Sequence, residues 1–183
     1  MGRVDMRNME NWLKTVNIRL LREEDLPELE WGGEYKRYRR IYREIYRNSQ
    51  KGLSIPLLAE TAAEGIIGQV FLSQKEPNSN YGIRTRYYFL SSFRVRAEFR
   101  DHGVGSLLLQ ECEKQARLHR IRDIYLNCER TNNRARWFYQ EHGFKVVRID
   151  EGTWTYVNDE GFVVTEPENA YLMKKTLSWI LFK

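Results

Sequence analysis

The stretch Phe93-Arg-Val-Arg-Ala-Glu-Phe-Arg-Asp-His-Gly-Val-Gly-Ser-Leu-Leu-Leu109 decides how the chain is read. Arg86–Arg96 reads as a strand, and Val104, Leu108, Cys112 and Ala116 recur at i+4 as the stripe of an amphipathic helix over about Val104–Leu118. A helix that starts directly after a turn leaves several N–H groups unpaired at the positive end of its dipole. Gly103 and Gly105 let a ligand approach that backbone, so the turn suits a phosphate, and Arg100 adds charge beside it. The two common phosphate loops are excluded. No lysine precedes Ser106, as a Walker loop requires, and the third glycine of the dinucleotide fingerprint would fall on Leu108. By itself a Gly-x-Gly also suits an ordinary strand–helix turn whose glycines only relieve strain.

Upstream, Val16–Leu21 alternates as a strand, and Asp25 with Pro27 suggests a helix start. Gly32-Gly33 ends that helix, and a second is expected from Glu34, with tyrosines and isoleucines at spacings of three and four. Ile55–Glu60 and Gly65–Ser73 read as strands, and Pro77–Gly82 as a polar loop. Downstream come a strand at Asp123–Cys128, a helix over Asn132–His142 stopped by Gly143, and strands at Phe144–Ile149 and Ala170–Thr176, with a turn at Asn158–Gly161. The whole is a mixed α/β domain with one main sheet.

The 183 residues fit a single domain, with residues 1–14 as an N-terminal extension and residues 177–183 as an apolar tail, which could dock on its own domain or on a dimer mate. No apolar run approaches the roughly 18 residues of a membrane span, and Met1–Lys14 lacks a signal-like apolar stretch, so a cytoplasmic protein without membrane contact is expected. Cys112 and Cys128 read as small buried residues, and three scattered histidines offer no metal-ligand spacing. The net charge of +5 is concentrated in two blocks. Residues 34–48 carry six positive and two negative groups, and residues 84–100 carry five and one. The first block, with Tyr35, Tyr38 and Tyr42 beside Trp31, reads either as plain amphipathicity or as an aromatic pocket with a basic rim for an anionic acceptor. A basic, tyrosine-rich helix also raises a nucleic-acid-binding alternative.

A second stretch, Leu126-Asn-Cys-Glu-Arg-Thr-Asn132, leads into Ala135, Phe138-Tyr139 and Gly143-Phe144. Arg100-x-x-Gly103-x-Gly105, a strand, and then Asn132-x-x-Ala135-x-x-Phe138-Tyr139 resemble the GNAT family of acetyl-coenzyme A-dependent N-acetyltransferases. The resemblance covers about Phe93–Val147. It implies a mostly antiparallel mixed sheet with helices on both faces and a splayed strand pair holding acetyl-CoA. It further implies that Arg100, Asp101, His102, Gly103, Val104, Gly105 and Ser106 hold the cofactor pyrophosphate, and that the main chain of Phe93 and Val95 meets the pantetheine arm near an oxyanion-stabilising bulge. Asn132 would also contact the pantetheine, or cap its helix, or do both. Tyr139 would protonate the departing thiolate; as an aromatic it could equally be core.

The implied reaction is direct transfer of acetyl to a primary amine of a small molecule or peptide. The sequence departs from the family's pattern at the base. The usual acidic positions are Ser91 and Ser92, and the glutamate of bacterial ribosomal-protein acetyltransferases falls on Asn127. Glu30, Glu34 or Glu60 could approach instead, or a water chain could serve. The missing acid also leaves open an acyl-CoA binder that has lost catalysis.

Overall fold

The run Leu57-Leu58-Ala59 divides the molecule into two layers. In the computed structural model, which describes residues 11–78 and 82–178, Ile55, Leu57 and Ala59 enter one core while Leu58 enters another across the sheet. That alternation is the period of two expected of a strand covered on both sides. Among the described residues seven strands form one sheet: β1 (Asn17–Leu20), β2 (Ser54–Thr61), β3 (Gly65–Lys75), β4 (Tyr87–Val95), β5 (Asp123–Glu129), β6 (Lys145–Val157) and β7 (Val163–Thr176). Their order is β1-β2-β3-β4-β5-β7-β6, antiparallel throughout except for β4–β5.

Helix α1 (Arg39–Ser49) buries Tyr42 on one face, with Leu58 and Phe71. Helix α2 (Val104–Leu118) buries the predicted stripe on the other face, where α3 (Asn133–Glu141) adds Tyr139. The sheet is thus mixed and mostly antiparallel with a helix layer on each side, as expected from the sequence. Each fully buried leucine of that stripe, such as Leu108, contributes on the order of 2–3 kcal/mol by leaving water.

Several local expectations are corrected. Asp25 starts no α-helix. It ends a short 3-10 turn (Glu23–Asp25), where its buried carboxylate accepts from the Arg22 N–H and from both Nη atoms of Arg19. Regular helix begins at Arg39, not Glu34. Trp31, Gly32 and Gly33 all take positive φ, and Lys36–Tyr38 stays 3-10. The last two strands are about twice the expected length because they form a long ribbon, pairing Lys145–Val157 with Val163–Lys174. Its exposed valines and isoleucines blur the apolar pattern at that end. Of the tail, Leu177 is buried in the main core and donates its N–H to Arg122, and residues 179–183 lie outside the described residues. Residues 1–10 of the N-terminal extension and 79–81 of the polar loop also lie outside them.

Candidate active site

Parallel pairing of β4 with β5 runs from Tyr88–Ile124 to Leu90–Leu126 and then stops. Beyond that point β4 stays with β3 while β5 stays with β7, so the two strands part into a V. At the parting, β4 inserts an extra residue: Val70 of β3 faces two residues, Ser92 and Phe93, and Ser92 has φ of 51°. A bulge of this kind re-aims backbone groups at a site. Phe93 lies 5.6 Å from Phe138 and 6.0 Å from Tyr139 by ring centroids, so the opening is walled by aromatic rings on the α2–α3 side.

The glycine turn closes the same end of the sheet. Gly103 has φ of 86°, which favours glycine, and a Cβ there would lie 2.9 Å from Leu13. A Cβ on Gly105 would lie 3.2 Å from Phe138, so α2 and α3 approach closely at this point. The first backbone bond of α2 is Leu107 N–H to the Gly103 carbonyl (3.0 Å), which leaves the N–H groups of Val104, Gly105 and Ser106 ahead of it. Three N–H groups ahead of the first helical bond are chemistry suited to a diphosphate. An anion there gains about 0.3–2 kcal/mol from the dipole.

The expected site residues divide by role. Val104 is buried, so only its backbone is available. Arg100 is exposed, and its Nε donates to the Val95 carbonyl (2.9 Å), which an incoming pantetheine arm would have to share or displace. Asp101 pairs with Arg134 (2.7 Å), and His102 Nδ1 lies 2.6 Å from the Arg100 carbonyl. The Ser106 hydroxyl meets His142 Nε2 at 2.9 Å. Asn132 caps α3, its Oδ1 accepting from the Ala135 N–H (3.0 Å), which commits one of its side-chain groups to structure.

Tyr139 is 8% exposed among Phe93, Phe138 and Phe144, and its hydroxyl makes no hydrogen bond among the described residues. Burial, with Cys128 and Cys112 close by, pushes that hydroxyl well above the ordinary phenol range and keeps it protonated. Burial also raises both thiols, making them poor nucleophiles.

Across the sheet, the other side of the V presents a different set of groups. Arg94 stacks on Tyr35 (3.9 Å) and donates to the Tyr42 hydroxyl (3.0 Å). Tyr38 packs on Tyr156 (5.3 Å) and Trp154 (6.0 Å) of β6. Three of the six cations of the 34–48 block are paired: Lys36 with Asp159, Arg37 with Glu166, Arg39 with Glu30. Plain packing thus accounts for most of this block. A cleft of about 510 Å³ lies beside it, lined by Trp31, Glu34, Tyr35, Arg96 and Arg100.

Among the base candidates, Glu30 is held below its usual range by the Arg39 guanidinium, and Glu60 is taken by Arg19 at 2.7 Å on the β1–β2 edge. Glu34 is exposed at the rim of the cleft.

Sequence reasoning missed the contacts of Asn127. Its Nδ2 donates to both Asp150 and Glu168, each at 3.0 Å. The period-two signal Asp150-x-Gly152-x-Trp154-x-Tyr156, opposite Glu166-x-Glu168, was available to find that face. Gln69 was missed as well. It is fully buried and accepts from the Trp31 indole N–H at 2.9 Å.

The sequence model of the Acetyltransferase (GNAT) family matches residues 18–144, more than half of the chain, and the protein belongs to that family. It is 33% identical to the N-alpha-acetyltransferase 60 of Danio rerio over 103 residues, 48% of this chain and 42% of that protein. The chain thus spans less than half the length of the curated relatives it matches. Its fold is similar to that of Arabidopsis thaliana NAA60, solved with a bisubstrate analogue, with a TM-score of 0.66 at 21% identity over 90% of this chain and all of that one. It is also similar to the PaiA N-acetyltransferase of Thermoplasma acidophilum, solved with coenzyme A, at 0.63 and 23% over 88% and 99%.

Proposed function

We propose that the protein transfers acetyl directly from acetyl-CoA to a primary amine of a small molecule or peptide. The observation that carries this reading is the V between β4 and β5 with the glycine turn and the open N–H groups of α2 at its mouth. Acetyl-CoA supplies an electrophilic thioester carbonyl. On the protein side, the N–H groups of Val104, Gly105 and Ser106, with Arg100, bind the diphosphate. The bulge at Ser92–Phe93 directs main-chain N–H groups toward developing oxyanion charge, and Tyr139 offers a protonated hydroxyl to the leaving sulfur. A phenol raised by burial acts first as a hydrogen-bond donor and gives up its proton only as thiolate charge develops.

Because relatives are named N-alpha-acetyltransferases, peptides with free N-termini head the list of acceptors to try. The test is thioester consumption with a panel of peptide N-termini, lysine side chains and polyamines. Turnover with at least one amine supports the reading; binding of coenzyme A without turnover on any amine favours the catalytically silent acyl-CoA binder. Engagement of Lys36, Arg37 and Arg39 by carboxylates weighs against a nucleic-acid partner.

A further inference from the structure

The phosphate-binding turn lies on the α2 face of the sheet, so an amine meeting the thioester at the parting of β4 and β5 comes from the opposite face. On that opposite face β5 places Asn127, one residue beyond the last β4–β5 pair. Strand alternation puts Asp150, Trp154 and Tyr156 of β6, with Glu166 and Glu168 of β7, on the same side. The Asn127 amide nitrogen bridges Asp150 and Glu168, and its buried Oδ1 has no hydrogen-bond partner among the described residues. Glu166 is engaged by Arg37 and by the Tyr156 hydroxyl, whereas Glu168 makes no ion pair among the described residues.

We propose that Glu168 is the general base of this enzyme, supplied by the β6–β7 ribbon in place of an acid on β4 or β5. The inference rests on the transferase reading above. Asn127 positions the carboxylate at the parting, and Tyr38, Trp154 and Tyr156 form an aromatic wall beside it that suits a cationic amine. Arg94 of β4, Arg37 beside Tyr38, Glu129 of β5, Arg148 of β6 and Lys174 of β7 also place charge on this face of the sheet, Lys174 paired with Asp123. In the step, one ammonium proton passes to Glu168 and then to solvent. The freed nitrogen lone pair forms the bond to the carbonyl carbon, the carbon–sulfur bond breaks, and the second nitrogen proton balances the sulfur as thiol.

The test is the pH dependence of kcat/KM for E168Q, E168D and wild type, using the best amine of the panel above, with coenzyme A affinity and melting temperature measured on each. A general base is worth about 10²–10⁴ in rate. E168Q should therefore lose about 100-fold or more near pH 7, keep wild-type coenzyme A affinity and fold, and recover as rising pH supplies free amine; E168D should fall between the two. A loss of less than about threefold, or one that does not narrow with pH, overturns the base role while leaving the transferase reading intact. Failure of wild type to acetylate any amine overturns both.

Discussion

The roles proposed for Gly103 and Tyr139 on the α2 side rest on opposite features, one on having no side chain and the other on the burial of its ring. With φ of 86° and the Leu13 Cδ2 2.9 Å from a virtual Cβ, any side chain at Gly103 is strained and must push Leu13 aside. Gly103→Ala should cost about 1–2 kcal/mol, seen as a fall of roughly 2–8 °C in Tm, and should weaken coenzyme A binding by calorimetry. An unchanged affinity would remove the turn from the cofactor site. For Tyr139 the raised hydroxyl predicts no ionisation of this group in the free enzyme across the neutral range. Tyr139→Phe should lower kcat by at least tenfold with little change in KM for acetyl-CoA, while stability changes little because the ring and its contacts remain. A variant that matches wild type in kcat would make Tyr139 purely a packing residue.

Among the elements, β1 and the turn after it show how charge substitutes for a helix. Burial alone would raise the Asp25 carboxyl, but the bidentate Arg19 guanidinium and the Arg22 N–H outweigh it and hold the group below its usual value. A carboxylate lowered on folding stabilises the protein above its unfolded pKa, about 3.9, and that contribution fades as pH falls toward the folded value. The Tm gap between wild type and Asp25→Asn should therefore be constant above about pH 4.5 and close below it. A gap independent of acid would mean that the pair contributes only packing. The same element shows what sequence reasoning could reach. Asp25 and Pro27 matched helix-start preferences, but their use depends on Arg19, a partner that local pattern does not reveal. By contrast α2 was legible over its full extent, since a repeat at i+4 is set within the segment itself. The β6–β7 ribbon was half legible, because it is exposed on one side and long enough that pairing rather than burial sustains it.

At the scale of the whole molecule, the sheet keeps two chemistries apart and joins them at one gap. The α2 face carries the N–H groups of the first turn of α2, suited to an anion, while the opposite face carries carboxylates and aromatic rings near the parting of β4 and β5. The glycine turn and the starts of α2 and α3 were readable from two short motifs because they are local in sequence. The aromatic surface across the sheet was not, because it is assembled from segments more than 100 residues apart, the 3-10 turn at Lys36–Tyr38 and the ribbon that packs against it. Divided along the chain, the +5 charge also changes meaning: one block leads into the glycine turn, and the other has three of its six cations in internal ion pairs. The most direct test of this arrangement is a crystal structure with coenzyme A. The account predicts pyrophosphate oxygens within about 3 Å of the Val104, Gly105 and Ser106 N–H groups, with the pantetheine arm running between β4 and β5 toward Tyr139. Coenzyme A bound away from Gly103–Ser106 would contradict it.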